Sequence, residues 1–215
     1  MPYSFGTLAQ KRKGPLILTN YKRVVEVWWD NEFKKFFYTR EPLAAFYDEG
    51  DTSEQLALKN RLKCKSFRTF MDGVGKAVYK NFPKLPENKV WGEVKSVAKP
   101  NYCLDSESSS PPHKVALNGC HSSGGNQLFR LNEKGQLGVG ERCIDVKNGV
   151  MTLIYCKLGT VDGPWEYDDE TRHLKHVKLD QCLEYLSDEG SLTMSECNGD
   201  ETQQWQWKTI KPAGF

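Results

Sequence analysis

The sequence predicts a mainly β protein in which one small unit is built three times, preceded by a helical region. The phrases Cys-Leu-Asp, Cys-Ile-Asp and Cys-Leu-Glu begin at residues 103, 143 and 182, so the repeat is 40 and then 39 residues long. Each repeat ends on a large aromatic residue, Phe129, Trp165 or Trp205. Short apolar stretches between Gly, Asn, Ser and Asp turns indicate strands. Three such units predict a β-trefoil, a hairpin-capped barrel with the three aromatic residues in its core.

The region before the repeats is predicted to be helical. Tyr21 to Tyr38 carries apolar residues at the spacing of one helix face. Thr52 and Gln55 form a candidate capping box for the next helix, and Ser66 is a candidate cap for a third. The apolar residues of these later helices are expected to pack: Leu56, Leu58, Leu62, Phe67, Phe70, Met71 and Val74.

Composition supports two domains. Residues 1–100 hold 19 Lys and Arg against 11 Asp and Glu, whereas residues 101–215 hold 11 against 17. The prolines at 83 and 86 interrupt the helical pattern, so we place the domains at residues 1–88 and 89–215. The basic residues alternate with apolar ones, which favours solvated helix faces, and no nucleic-acid partner is expected.

The seven cysteines favour disulfides over a metal site, because no pair has the Cys-x-x-Cys spacing. We predict three local bridges, each stabilising by about 3 kcal/mol: Cys103–Cys120, Cys143–Cys156 and Cys182–Cys197. Cys64 is left over, and an unpaired cysteine in an oxidising compartment suggests a partner outside this chain. Disulfides indicate a secreted or lumenal compartment, yet the N-terminus has no signal-peptide core. We therefore expect a fragment or alternative product of a longer protein.

The first repeat carries a polar set suited to a sugar. A carboxylate and an amide can bind adjacent hydroxyls while a ring covers the apolar face of the sugar. Asp105, Asn126 and His121 supply these groups. Asp and Asn also commonly stabilise their own turns, and taken alone the residues favour that structural role.

Several motifs together resemble a known family. The end of the catalytic domain of the polypeptide N-acetylgalactosaminyltransferases is similar to the stretches Arg23 to Asp30, Phe36 to Tyr38 and Leu62 to Phe67. Their ricin B-type lectin domain resembles the later phrases Cys103-Leu104-Asp105, Cys120-His121, Gly124-Gly125-Asn126-Gln127 and Gln203-Gln204-Trp205. The resemblance implies a β-trefoil preceded by a helical remnant of an α/β glycosyltransferase domain.

The family resemblance implies an enzyme that initiates mucin-type O-glycosylation in the Golgi lumen, as a type II membrane protein. Such enzymes transfer GalNAc from UDP-GalNAc to Ser or Thr with retention, using Mn²⁺ held by an Asp-x-His pair and a later His. This sequence contains no Asp-x-His, so we assign no metal ligand within it and expect the chain alone to be catalytically inactive. Tyr3 is similar to a lid residue that contacts the nucleotide, and is the one nucleotide-binding candidate.

For the lectin part, the resemblance implies binding of GalNAc already placed on a glycopeptide, through Asp105, His121 and Asn126. Asn118 stands where many relatives carry an aromatic residue, which predicts weaker stacking on the sugar. A free-standing lectin, or a structural interaction module with decayed sugar sites, remains the alternative.

The other two repeats depart from the motif of the first. The second keeps Asp145 as a candidate sugar ligand with Tyr155 nearby, although Asp162 and Gly163 replace Asn and Gln. In the third, Glu184 and Thr202 replace Asp and Asn. The longer Glu side chain is expected to fill the sugar's space, so this repeat is predicted to be structural. The missing catalytic portion is the expected partner of the whole chain.

Overall fold

The computed structural model describes residues 15–156, 159, 161–186 and 191–211. Tyr3, the nucleotide-binding candidate, lies outside the described residues. The chain forms two compact units, one of Met1–Lys76 with Lys211–Phe215 and the other of Ala77–Ile210. Within the described ranges, every helix is too short or too polar to cross a membrane.

The described part of the first unit is helical, as predicted. It contains α1 (Leu16–Trp28), α2 (Asn31–Arg40), a 3-10 helix (Pro42–Phe46), α3 (Ser53–Arg61) and α4 (Phe67–Asp72). The single helix predicted from Tyr21 to Tyr38 is wrong, because the backbone is extended at Trp29 and Asp30. The Asp30 carboxylate accepts a hydrogen bond from the backbone N–H of Arg68 at 2.8 Å, which holds the break in place.

Packing in this unit agrees only partly with expectation. Trp29 stacks on Phe67 with ring centroids 4.8 Å apart, and Met71 is buried. Four other expected packing residues are exposed instead, and the prediction is wrong for them: Leu56, Leu58, Leu62 and Val74. Phe70 is half-exposed but stacks on Phe67 with ring centroids 5.5 Å apart. Helix α3 buries no residue, because a unit of few short helices lacks the elements to cover every apolar face.

The two predicted helix caps have different outcomes. Ser66 Oγ accepts a hydrogen bond from the N–H of Thr69 at 3.3 Å, which confirms this cap. Thr52 precedes α3 but makes no side-chain cap, so the capping box is wrong. The Asp51 carboxylate accepts the N–H of Ser53 at 2.8 Å in its place.

The second unit begins with α5 (Val78–Asn81) and is otherwise made of strands. The strands are β1 (Asn88–Ser96), β2 (Tyr102–Asp105), β3 (His113–Lys114), β4 (Ala116–Gly119), β5 (Phe129–Asn132), β6 (Leu137–Val139), β7 (Arg142–Lys147), β8 (Val150–Tyr155), β9 (Trp165–Tyr167), β10 (Leu174–His176), β11 (Gln181–Leu186), β12 (Ser191–Glu196) and β13 (Trp205–Lys208). Two 3-10 turns lie at Gly125–Gln127 and Glu201–Gln203. All pairings are antiparallel, and β13 returns to pair with β1, which joins the last repeat to the first.

The predicted threefold repeat is visible in strand register. The first cysteine of each repeat lies opposite the residue two positions before the second cysteine: Cys103 opposite Asn118, Cys143 opposite Ile154, and Cys182 opposite Ser195. The three predicted disulfides are present, with sulfur–sulfur distances of 2.03, 2.01 and 2.04 Å. Cys64 is a free, exposed cysteine.

The three aromatic residues form the centre of the core, as predicted. Phe129 and Trp205 are completely buried and Trp165 is 1% exposed. Each tryptophan indole N–H donates to a backbone carbonyl of its own repeat, Trp165 to Ile144 at 2.9 Å and Trp205 to Leu183 at 2.8 Å. These two central indole N–H groups are therefore paired although they are buried. The three Cys-x-acid phrases lie in β2, β7 and β11.

Candidate functional site

The first repeat brings its predicted polar residues together around a nearly buried carboxylate. Asp105 ends β2 and is 4% exposed. Its Oδ1 accepts hydrogen bonds from Asn126 Nδ2 and from the backbone N–H of Glu107, both at 2.6 Å. Its Oδ2 accepts one from Gln127 Nε2 at 2.9 Å. Burial alone would raise the pKa of Asp105, but these hydrogen bonds outweigh it and lower the pKa, so the group is ionised at neutral pH.

His121 extends this cluster outward. Its Nε2 lies 3.2 Å from Asn126 Oδ1, and its Nδ1 accepts the backbone N–H of Ser123 at 3.0 Å. This network assigns the ring proton to Nε2, which donates to Asn126. Both ring nitrogens have partners, so the part of exposed His121 that can contact a ligand is the face of its ring. Asn126 keeps a second amide N–H beside Asp105, so the pair can bind two neighbouring hydroxyls.

Gln127 is the organising residue that the sequence-based site prediction omitted. Fully buried, it donates to Asp105 and to the carbonyl of Gly119, and its Oε1 accepts the N–H of His121 at 3.0 Å. Gln127 stands two residues before Phe129, as Gln203 stands two residues before Trp205, and this Gln-x-aromatic pattern is the sequence signal that marks it. Glu93 on β1 is a second omission. Also fully buried, it accepts the N–H of Ser122 at 2.6 Å, which fixes the loop that carries His121.

In the second repeat the candidate Asp145 has a different partner. Its Oδ1 lies 3.2 Å from Nε2 of buried His176 on β10 and accepts the N–H of Val146 at 2.8 Å. His176 also lies edge-on to Trp165. Asp162, at the Asn position, is exposed and 4.0 Å from Lys134. The structure therefore does not bring Asp145 and Asp162 together as Asp105 and Asn126 are in the first repeat.

A glycine explains why the second repeat lacks the organising amide. Gly163 occupies the position of Gln127, and a Cβ there would lie 2.2 Å from the carbonyl oxygen of Gly135. No side chain fits this space. Tyr155 lies opposite Arg142 in β7 and lines a groove of about 700 Å³ that does not contain Asp145, so it is not part of an Asp145 site.

The third repeat keeps the organising glutamine but not the rest of the first site. Gln203 donates to Glu184 at 3.2 Å and to the carbonyl of Glu196 at 2.9 Å, and accepts the N–H of Asn198 at 2.9 Å. Thr202 donates to the other oxygen of Glu184 at 3.2 Å. Both carboxylate oxygens of Glu184 thus have protein donors, an arrangement suited to a structural turn.

Asn118, which stands where an aromatic residue was expected from the family resemblance, forms a polar wall beside the first site together with Glu107 and His113. Its Nδ2 donates to Glu107 Oε1 at 3.3 Å, and Glu107 Oε2 lies 2.9 Å from His113 Nε2. Hydrogen bonds from His113 and then Asn118 lower the pKa of Glu107. A second carboxylate therefore stands two residues after Asp105, where stacking was expected.

Comparison with known families agrees with this architecture. A model of the ricin-type beta-trefoil lectin domain matches residues 90–205. The chain belongs to this family. The match spans all three repeats, from β1 to the start of β13, so the predicted ricin-type trefoil is confirmed.

The relatives that this chain matches are longer proteins named as N-acetylgalactosaminyltransferases, so the predicted resemblance to GalNAc-transferases is confirmed. The chain is 53% identical to N-acetylgalactosaminyltransferase 7 of Drosophila melanogaster over 99% of its own length and 36% of the relative's. Its identity to the Homo sapiens protein of that name is 33%, over 90% of this chain and 29% of the relative. A crystal structure of GalNAc-T7 with UDP, GalNAc and Mn²⁺ superposes with a TM-score of 0.77 at 32% identity, over 90% of this chain and 36% of that one. The chain thus spans about a third of these proteins.

The groups of possible metal ligands among the described residues do not suit Mn²⁺. Two groups of potential ligand atoms lie within 4.8 Å of one another, His173 with Cys182 and Cys197, and Glu93 with Cys103 and Cys120. The cysteines in both groups form disulfides and offer no thiolate. Manganese prefers carboxylate, carbonyl and water oxygens, so neither group fits the ion.

Proposed function

We propose that the β-trefoil binds GalNAc through its first repeat, as the lectin portion of a polypeptide GalNAc-transferase. The observation that carries this proposal is the grouping of ionised Asp105 with Asn126 and His121 where β2 ends. Adjacent hydroxyls of a pyranose can donate to the carboxylate and accept from the amide, while the imidazole face contacts the ring. The proposed natural ligand is GalNAc on a glycosylated peptide.

Preorganisation supports this assignment. Gln127 and Glu93 hold the carboxylate and the His121 loop from the buried side, so few side chains need to be ordered when the sugar binds. The turn-stabilising role predicted as an alternative is present too, since Asp105 accepts the N–H of Glu107. Asn118 contributes a further side-chain hydrogen bond to Asp105. Both roles are compatible, because a sugar hydroxyl can displace this donor, which also binds Glu107.

The two later repeats are proposed to contribute structure rather than sugar affinity. Among the residues that the structure describes, Asp145 has no amide partner like Asn126, and Glu184 accepts hydrogen bonds from Thr202 and Gln203. One GalNAc per chain is the resulting stoichiometry. If Asp145 nevertheless binds sugar, titration will give two sites.

The test is an isothermal titration in which calorimetry measures the binding of a GalNAc-threonine glycopeptide to the oxidised chain. Asp105→Ala should abolish binding, while the matched variant Glu184→Ala should bind as wild type does. Loss of binding in both variants would indicate a general structural effect, and circular dichroism would show it. Absence of binding in wild type would favour the structural interaction module, with decayed sugar sites, over the lectin.

The family relationship also suggests the wider setting. We propose that the parent protein is a Golgi lumenal transferase whose lectin part starts near residue 89, with residues 1–88 from its catalytic domain. The chain alone is proposed not to transfer GalNAc, and transfer from UDP-GalNAc to a threonine peptide by pure chain with Mn²⁺ would refute this. A free-standing lectin is the second candidate, and it would require residues 1–88 to be dispensable for folding.

A further inference from the structure

The polar wall of the first site is specific to this repeat. The residue two positions after the repeat's acid is Glu107 in the first repeat, Lys147 in the second and Leu186 in the third. The residue opposite the first cysteine is Asn118, Ile154 or Ser195. Only the first repeat therefore places a carboxylate and an amide together at this position, next to the candidate sugar ligands.

Contacts hold the Glu107 carboxylate at the rim of the site. Asn118 and His113 bind its two oxygens from β4 and β3. Its backbone N–H is held by Asp105 at 2.6 Å, and its φ of 51° lies in the left-handed region. The residue is accordingly fixed by its neighbours on three sides, although its side chain remains 45% exposed.

The charges at this rim are mostly negative. Asp105 and Glu107 are both ionised at neutral pH, and in the described part of the chain His113 is the ion-pair partner of Glu107. Even a protonated His113 balances only one of these two carboxylates. A ligand group that approaches this wall therefore meets a net negative charge.

We infer that Glu107 makes the first site select GalNAc on peptides that carry a cationic residue beside the glycosylated one. This inference rests on the proposed GalNAc binding. The sugar would occupy the Asp105 and Asn126 pair, and a neighbouring Lys or Arg of the peptide would contact Glu107. An acidic neighbour would be repelled by the same carboxylate. Ion pairs at exposed sites have modest strength, so we expect about a three- to tenfold difference in affinity between the two kinds of peptide.

The experiment compares three glycopeptides that differ only in the residue after GalNAc-threonine, which is Lys, Ser or Glu. Calorimetry with the whole chain at low salt should rank their affinities Lys, Ser, Glu, and the spread should shrink at high salt because exposed charges are screened. Glu107→Gln should bind the three glycopeptides with similar affinity. Glu166→Gln is the matched control, since it removes an exposed carboxylate elsewhere in the unit, and it should keep the ranking.

The outcomes separate this inference from the function on which it rests. Equal affinity of wild type for the Lys and Glu peptides, with free GalNAc still bound, would overturn the role of Glu107 alone. Persistence of the ranking in Glu107→Gln would do the same. Failure to bind free GalNAc and every glycopeptide would overturn the proposed function and this inference together.

Discussion

The substitution Gln127→Ala should both lower the free energy of unfolding of the trefoil and abolish GalNAc binding. The amide makes three hydrogen bonds from a fully buried position, to Asp105, Gly119 and His121. Neutral hydrogen bonds contribute about 1 kcal/mol each and one to a carboxylate about 2 kcal/mol, for a sum of about 4 kcal/mol. Water that enters the vacated space replaces some of these hydrogen bonds, so we expect the free energy of unfolding to decrease by about 2–4 kcal/mol.

The assay is urea unfolding of the oxidised chain, followed by tryptophan fluorescence, together with GalNAc titration. Gln203→Ala is the matched variant, because Gln203 makes the corresponding three hydrogen bonds in the third repeat. Both variants should lose similar stability, but only Gln127→Ala should lose sugar affinity. A loss below about 1 kcal/mol for Gln127→Ala would refute the hydrogen-bond reasoning. Equal loss of binding in both variants would refute the assignment to the first repeat.

Three further predictions use the same protein. The folded-state pKa values of Asp105 and Glu184 are lowered, so their stabilisation is present above the ordinary value and lost as pH falls. The urea concentration at the unfolding midpoint should therefore decrease when the pH is lowered below about 4. This decrease should be smaller in the double variant Asp105→Asn, Glu184→Gln, and an identical decrease in both proteins would contradict the reasoning. Asn118→Tyr should raise GalNAc affinity about two- to tenfold by stacking, whereas unchanged or weaker calorimetric binding would show that the wall does not face the sugar. Replacing Cys143 and Cys156 by Ala should cost about 3 kcal/mol in urea unfolding while leaving GalNAc affinity unchanged, and a lost affinity would mean the repeats are coupled.

The trefoil was predictable because its signals are local and repeated. The Cys-x-acid phrases and their second cysteines give the hairpin register, and Phe129, Trp165 and Trp205 mark the core. Hydrophobic spacing was less informative in the helical part. The same apolar stripe is compatible with one long helix or with two helices separated by Trp29 and Asp30. The contact that holds the break is the hydrogen bond from the backbone N–H of Arg68 to Asp30, and Arg68 is distant in sequence.

The sequence indicates the residues of the candidate site only as far as its motif extends. Asp105, His121 and Asn126 belong to matched phrases and lie together in the structure. His176 lies 31 residues from Asp145, and Glu107 gains its importance from contacts with β3 and β4. Side-chain pairing between strands depends on register, which a single sequence does not reveal for such residues.

The most direct measurement is a crystal structure of the chain soaked with GalNAc. Density for the sugar should lie against Asp105, Asn126 and the ring of His121, with the positions beside Glu184 and Asp145 unoccupied. Sugar bound at Glu184 or Asp145 instead, or no density at a saturating GalNAc concentration, would contradict the assignment of GalNAc binding to the first repeat.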